Sequence, residues 1–186
     1  YQVTRETLTG TYIIPSKFHQ KFLYGNEMSK DAISAKRDFD RMFPVGRLDK
    51  DTTGLVFLTN DGELANFLMH PRNRIPRIYE AEIEGKLNSM EIRRIEKGIY
   101  IGDGEFGRGE FISQHTKKKR SIVNLKLFEG KKREVRRIFR FLKKKLFSLR
   151  RTAYGDIKLG NLPLGNWRKL SIKETEILRK IQSGNP

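Results

Sequence analysis

The spacing of apolar residues changes period several times along this chain, and each change marks an element. Leu55 to Thr59 is a short continuous apolar run, the pattern of a buried strand. The turn residues Asn60, Asp61 and Gly62 follow. Asp61 is placed to cap a short helix that carries Leu64, Phe67 and Leu68 on one side and stops before Pro71. Ile78 to Gly85 alternates, with Tyr79, Ala81 and Ile83 facing one way and Glu80, Glu82 and Glu84 the other, which predicts a half-buried strand with Tyr79 inward. Asn88 to Lys97 suits a short helix closed by Gly98, the glycine-rich residues 102–109 a hairpin, and Ser121 to Phe128 another alternating strand. After Gly130, the residues Val135, Ile138, Phe139, Leu142 and Leu146 follow helical spacing, while Arg136, Arg137, Arg140, Lys143 and Lys144 take the other faces: a basic amphipathic helix. Ser171 and Glu174 form a capping-box pair ahead of a last helix through Ile177, Leu178 and Ile181.

Helices interspersed with hairpin-like strand pairs predict an α+β fold, with a mixed, mainly antiparallel central sheet and flanking helices. At 186 residues the chain has the size of one domain. Neither an internal repeat nor a Pro-rich linker divides it, although two halves, about 1–75 and 76–186, meet near Pro71 to Pro76.

Charge narrows the partner. Of the formal +17, +14 comes from Lys117 to Arg151, where 16 Lys or Arg stand against Glu129 and Glu134. Cations at that density release counterions from phosphates, so a polyanion is the expected partner; a merely solvated surface or an anionic membrane patch is the bland alternative. With no cysteine there is neither a disulfide framework nor a thiolate zinc site, and His19, His70 and His115 are scattered. No apolar run reaches the roughly 18 residues of a membrane span, and the first residues do not form a signal peptide, so a cytoplasmic protein without a membrane partner is expected.

The segment GRLDKDTTGLVFLTNDGELANFLMHP, Gly46 to Pro71, puts Asp49 on a loop ahead of the buried strand. An isolated loop aspartate is ordinarily a turn former. Here its neighbours matter. GRLDKDTTGL resembles the GRLDxxTxGL motif of the pseudouridine synthase superfamily, in the branch that acts on small- and large-subunit ribosomal RNA. RIYEAEIEG (Arg77 to Gly85), EGKKREVRRIF (Glu129 to Phe139) and LRRTAYGDIKLGNLPLGNWRKL (Leu149 to Leu170) resemble the motifs that follow, in the same order.

The resemblance implies the superfamily's catalytic fold, with two halves around a cleft, and an enzyme that turns selected uridines of structured RNA into pseudouridine. Ribosomal RNA, 23S in particular, is favoured over transfer RNA. It places Asp49 at the catalytic aspartate, Tyr79 at the active-site tyrosine and Arg136 at the arginine that pairs with the aspartate. Arg47, Leu48 and Leu149 fall in the substrate pocket. An ionised Asp49 would attack the sugar or the base, or abstract a proton to open a glycal route; the sequence does not choose. A cation beside Asp49 would favour its charged form and a guanidinium fork would fix its orientation, although Arg136 read alone is equally a phosphate ligand. Tyr79 would stack on the base, and Leu149 would form an apolar wall. Read alone, each is an ordinary core residue.

Lys117, Lys118, Lys119, Arg120, Lys131, Lys132, Arg133, Arg137, Arg140, Arg150 and Arg151 are the expected RNA contacts, and Phe106, Phe111 or Trp167 candidate stacking partners for neighbouring bases. No cofactor, metal or obligate protein partner is implied, and a monomer is the default. Such domains usually open on a strand ending in Lys-Pro, which is absent ahead of Tyr1, so a truncated or disordered start is expected. Many relatives also carry an N-terminal basic RNA-binding domain. Two other readings compete: a noncatalytic RNA-binding or ribosome-assembly protein of the same fold, and a metal-dependent nuclease using Asp49, Asp51 and Asp61, whose spacing lacks a coherent ligand pattern.

Overall fold

The computed structural model describes residues 12–15 and 42–183. The chain forms two compact units. The first draws, among the described residues, on 12–15, 42–48, 54–73 and 159–183, and the second on 49–53 and 74–158. Among the described residues no helix is long and apolar enough to cross a membrane.

In the first unit, β1 (Tyr12–Pro15) and β2 (Phe43–Val45) each pair antiparallel with β3 (Thr53–Thr59), and β11 (Arg168–Lys169) pairs antiparallel with β1. Every residue from Gly54 to Thr59 is buried, which is why this strand reads as an unbroken apolar run rather than an alternation. Helix α1 (Gly62–Met69) starts where expected, because the Asp61 carboxylate accepts the Leu64 amide at 2.9 Å. The last helix, α4 (Ile172–Ser183), has the expected capping box: the Glu174 carboxylate accepts the Ser171 amide at 2.8 Å and Ser171 Oγ accepts the Glu174 amide at 3.3 Å.

The expected truncated or disordered start lies outside the described residues; among those described, the strand β1 ends in Ile14 and Pro15.

The second unit is a four-stranded antiparallel sheet in the order β9 (Leu146–Tyr154), β4 (Arg77–Glu84), β8 (Arg120–Leu127), β7 (Gly109–Lys117), and β10 (Ile157–Lys158) pairs back on β9. On β4 the alternation holds, Ala81 and Ile83 being fully buried and joined in one core by Val123, Leu125 and Leu149. Helix α2 (Ser89–Lys97) begins with a complete Asn88–Glu91 capping box and ends at Gly98. It leads into the hairpin β5 (Ile99–Gly102) and β6 (Glu105–Gly107), against which α3 (Glu134–Phe141) packs. A Cβ at Gly107 would lie 2.8 Å from Ile138 Cγ1, so α3 reaches the hairpin only because that side chain is missing.

Helix α3 is shorter than its apolar spacing predicts. Lys143 takes a left-handed φ of 55°, and the amides of Lys143 and Lys144 donate to Arg140 O at 3.0 Å and Phe139 O at 2.9 Å. This is a Schellman closure with lysine where glycine is usual. Leu146 therefore opens β9, opposite Ile83, rather than extending the helix.

Candidate active site

Asp49 lies in the loop between β2 and β3, which closes on itself through the Thr52 amide donating to Asp49 O at 2.8 Å. Arg136, in the first turn of α3, reaches this loop. Its Nη2 donates to Asp51 O at 2.7 Å and to the hydroxyl of buried Thr52 at 3.1 Å, and its Nε stands 3.7 Å from the Asp49 carboxylate. That separation makes an ion pair rather than a hydrogen bond. The guanidinium is thus held by the loop through Nη2, while its Nε faces the carboxylate. Arg136 retains 17 % of its side-chain exposure and Asp49 31 %, so the charges are shielded on the arginine side while the carboxylate can still be reached by a substrate. Shielding of this kind strengthens the pair relative to a surface pair in water.

Two residues before Arg136, Glu134 secures the start of α3. This buried carboxylate accepts the amides of Gly130 and Lys131, both at 3.1 Å, and of Arg108 at 3.3 Å. It fastens the start of α3 both to its own loop and to the chain entering β7. Burial pushes its pKa up, against the backbone amides, which pull it down. Thr52, within GRLDKDTTGL, supplies one of the anchors through its hydroxyl. The available signals were an acid opening a basic helix and a threonine three residues beyond the aspartate.

Tyr79 is half-buried on β4 and packs against the same cluster as Leu149, Val135, Ile138 and Phe139. Leu149 is buried directly opposite Ala81. The second, third and closing motifs thus converge on one core in the second unit. Arg47 is exposed and Leu48 half-buried in the residues just before Asp49.

The basic residues divide. Lys117, Lys118, Lys119 and Arg120 are exposed at the β7–β8 turn, and Lys132, Arg133, Arg140 and Arg150 are exposed as well. Lys131 is tied to Glu129 and to Phe106 O, both at 2.6 Å. Two of the expected RNA contacts have partners within the fold. Arg137 spends its guanidinium on the β5–β6 hairpin, at Ile101 O (2.9 Å), Gly102 O (2.7 Å), Asp103 (3.1 Å) and Glu105. Arg151 is buried, its guanidinium 5.1 Å from the centre of the Tyr154 ring. Arg137 is half-buried with its donors engaged inside the fold, and Arg151 is withdrawn from solvent. Of the three aromatic candidates, Phe106 is exposed, and Phe111 and Trp167 are half-buried.

The sequence pattern of the RNA pseudouridylate synthase family matches residues 15–141, most of the chain and all of the Asp49–Arg136 geometry. The chain belongs to this family. Among relatives of the family, an uncharacterized RNA pseudouridine synthase of Aquifex aeolicus is 40 % identical over 141 residues, which are 76 % of this chain and 57 % of that protein. The ribosomal large subunit pseudouridine synthase B of Bacillus subtilis is 38 % identical over 143 residues, 76 % of this chain and 59 % of its own. Its Escherichia coli (strain K12) namesake is 38 % identical over 149 residues, with 49 % of that protein covered. The chain therefore spans about half to three-fifths of these relatives. The crystal structure of a pseudouridylate synthase has the same fold, with a TM-score of 0.72 at 23 % identity over 90 % of this chain and 73 % of that one.

Proposed function

We propose that this chain carries the catalytic unit of an enzyme that isomerises selected uridines of ribosomal RNA, large-subunit RNA in particular, to pseudouridine. The observation that supports this reading is the Asp49–Arg136 ion pair, held by the Asp51 carbonyl and the Thr52 hydroxyl in a chain of this family. The reaction breaks the bond between ribose C1′ and uracil N1, turns the base, and joins C1′ to C5. N1 gains a proton and C5 loses one. The atoms balance within one nucleoside, so no energy donor or redox partner is required.

In this proposal Asp49 is the ionised carboxylate at the reacting nucleoside, and Arg136 is a positioning residue that keeps it aimed. Both the route by attack and the route by proton abstraction call for that ionised form. Tyr79 stacks on the extruded base, with Leu149 behind it, and the exposed lysines take phosphates. A stacked uridine must leave its helix first, at a cost of a few kcal/mol, which phosphate contacts offset. The B-type ribosomal relatives support ribosomal RNA as substrate and the cytoplasm as the place of action.

The metal-dependent nuclease reading gains no support. Asp61 is committed to capping α1, and no cluster of three metal-ligating groups forms among the described residues. Full activity in EDTA is the expected result.

The test is to incubate the protein with ribosomal RNA transcripts and map pseudouridine. New sites should appear with wild type and vanish with Asp49→Ala. If wild type modifies no ribosomal or transfer RNA, the noncatalytic binder takes its place.

A further inference from the structure

Two basic segments some 25 residues apart meet where β4 ends. The consecutive amides of Glu84 and Gly85 donate to Lys145 O at 2.9 Å and to Lys119 O at 2.8 Å, clamping the β7–β8 turn beside the connection from α3 to β9. Lys144 reinforces the junction, its Nζ donating to Lys86 O at 2.9 Å and pairing with Glu91 at 3.1 Å. Lys117 to Arg120, Lys143 to Lys145 and Lys86 bring eight cations to this end, and the carboxylates interleaved with them are Glu82, Glu84 and Glu91. Among these cations stands Phe147, 36 % exposed. The Arg120 guanidinium carbon lies 3.9 Å from the centre of the Phe147 ring and Lys145 Nζ 5.3 Å.

Arg120 is therefore preorganised. The ring supports its guanidinium, Glu82 fixes one edge at 2.9 Å, and 56 % of the side chain still faces solvent. A solubilising surface needs neither an exposed phenylalanine nor an arginine immobilised upon it. An unpaired base, in contrast, uses what is offered here: a supported planar cation to stack on, and ammonium groups on either side for the flanking phosphates.

We propose that this end of the sheet is a second RNA-contact site, in which an unpaired nucleotide stacks on the Arg120–Phe147 pair and the lysines of the two segments hold its backbone. The inference rests on RNA being the substrate, and it adds to that reading an anchor away from the chemistry. From Tyr79 to Glu84 β4 runs five residues, about 17 Å of strand, so one RNA fold can touch both places. The anchor would then help decide which uridine reaches Asp49. A lipid surface is the less suitable partner, because one aromatic on a sheet end offers none of the apolar face that an interfacial helix buries.

Fluorescein-labelled decaadenylate, which contains no uridine, separates this site from the active site. Full-length protein should bind it. Arg120→Lys, which keeps the charge but loses the plane, and Phe147→Leu should each weaken binding by about five- to a hundredfold without changing the salt dependence. Lys118→Ala should weaken it and lower the slope of log affinity against log salt by about 0.7. Asp49→Ala should bind as wild type does. Unchanged binding by Arg120→Lys and Phe147→Leu overturns the proposal, even if ribosomal RNA is still modified. So does a loss confined to phosphatidylserine vesicles. Failure of wild type to form pseudouridine, with decaadenylate binding behaving as described, counts against the enzyme alone.

Discussion

Arg136 and Arg137 are consecutive arginines on one helix, with 17 % and 12 % of their side chains exposed, and they bind different segments of the second unit. A helix turns by about 100° per residue, so neighbours in sequence face different surroundings. One guanidinium is carried to the Asp49–Thr52 loop, where its Nε is left facing a carboxylate that solvent can reach. The other is carried to the β5–β6 hairpin, where two carbonyls and two carboxylates consume its donors. Residue type thus says little about role. What separates the two arginines in this fold is whether the guanidinium is closed on its partners by hydrogen bonds or left in an open pair with its carboxylate.

The largest effect should come from the open partner itself. Asp49→Asn keeps the shape of the carboxylate and removes its charge, so pseudouridine formation should fall by at least about a thousandfold, a loss of roughly 4 kcal/mol of transition-state stabilisation. RNA affinity should stay within about twofold. A variant that loses affinity and rate together would make Asp49 a binding residue.

Next comes Arg136→Lys. It retains a positive charge but cannot hold Asp51 O, Thr52 Oγ1 and the carboxylate at once, and a misplaced carboxylate costs about a hundredfold in kcat with KM little changed. If lysine supports full turnover, the fork geometry is irrelevant and only charge counts. Arg137→Met should do the reverse. It removes the hairpin anchors and should lower the free energy of unfolding by about 2 kcal/mol in a urea titration, since hydrogen bonds to charged groups are worth about that much net. Its affinity for RNA and the salt dependence of binding should not change. Loss of RNA affinity without loss of stability would erase the distinction between the two arginines.

The same distinction marks how far the sequence could be read. Elements announced by local chemistry were legible: Asp61 and Asn88 cap the helices they precede, and Ser171 with Glu174 opens the last one. The approach of Arg136 to Asp49 was legible through their motifs. The end of α3 was not, because Lys143 adopts the left-handed closure without the glycine or asparagine that usually signals it, and Leu146 continues the helical spacing by coincidence. Strand β9 was lost with it. Strand β7 was lost for another reason: paired within its unit on one side only, it is exposed along most of its length, so no apolar alternation betrays it. The anchors of Arg136 were hidden because they depend on which residues meet across the fold, and no local pattern records the distance from a helix to a loop 85 positions earlier.

A third arginine calibrates the other two. In the first unit Arg168 grips Glu174 through both nitrogens, at 2.7 and 2.6 Å, the closed fork that Arg136 does not make with Asp49. The hydrogen bonds from Arg168 are the main cause that draws the Glu174 pKa down to about 2, helped by the Ser171 amide and opposed by burial. A folded-state pKa below the unfolded value means that the native state holds its proton less tightly than the unfolded chain does. The stabilisation is therefore complete above about pH 4.5 and is lost as pH falls toward 2. Because Arg168 keeps 36 % of its side-chain exposure, solvent screening limits the contribution to about 1 kcal/mol. Glu174→Gln should remove that much stability at pH 7 and flatten the corresponding part of the acid-unfolding curve between pH 4.5 and 2, with no effect on pseudouridine formation at neutral pH. A variant whose acid limb still tracks wild type would show that a closed fork on this surface contributes nothing measurable, and the arginine that leaves its carboxylate open would then forgo no stability by doing so.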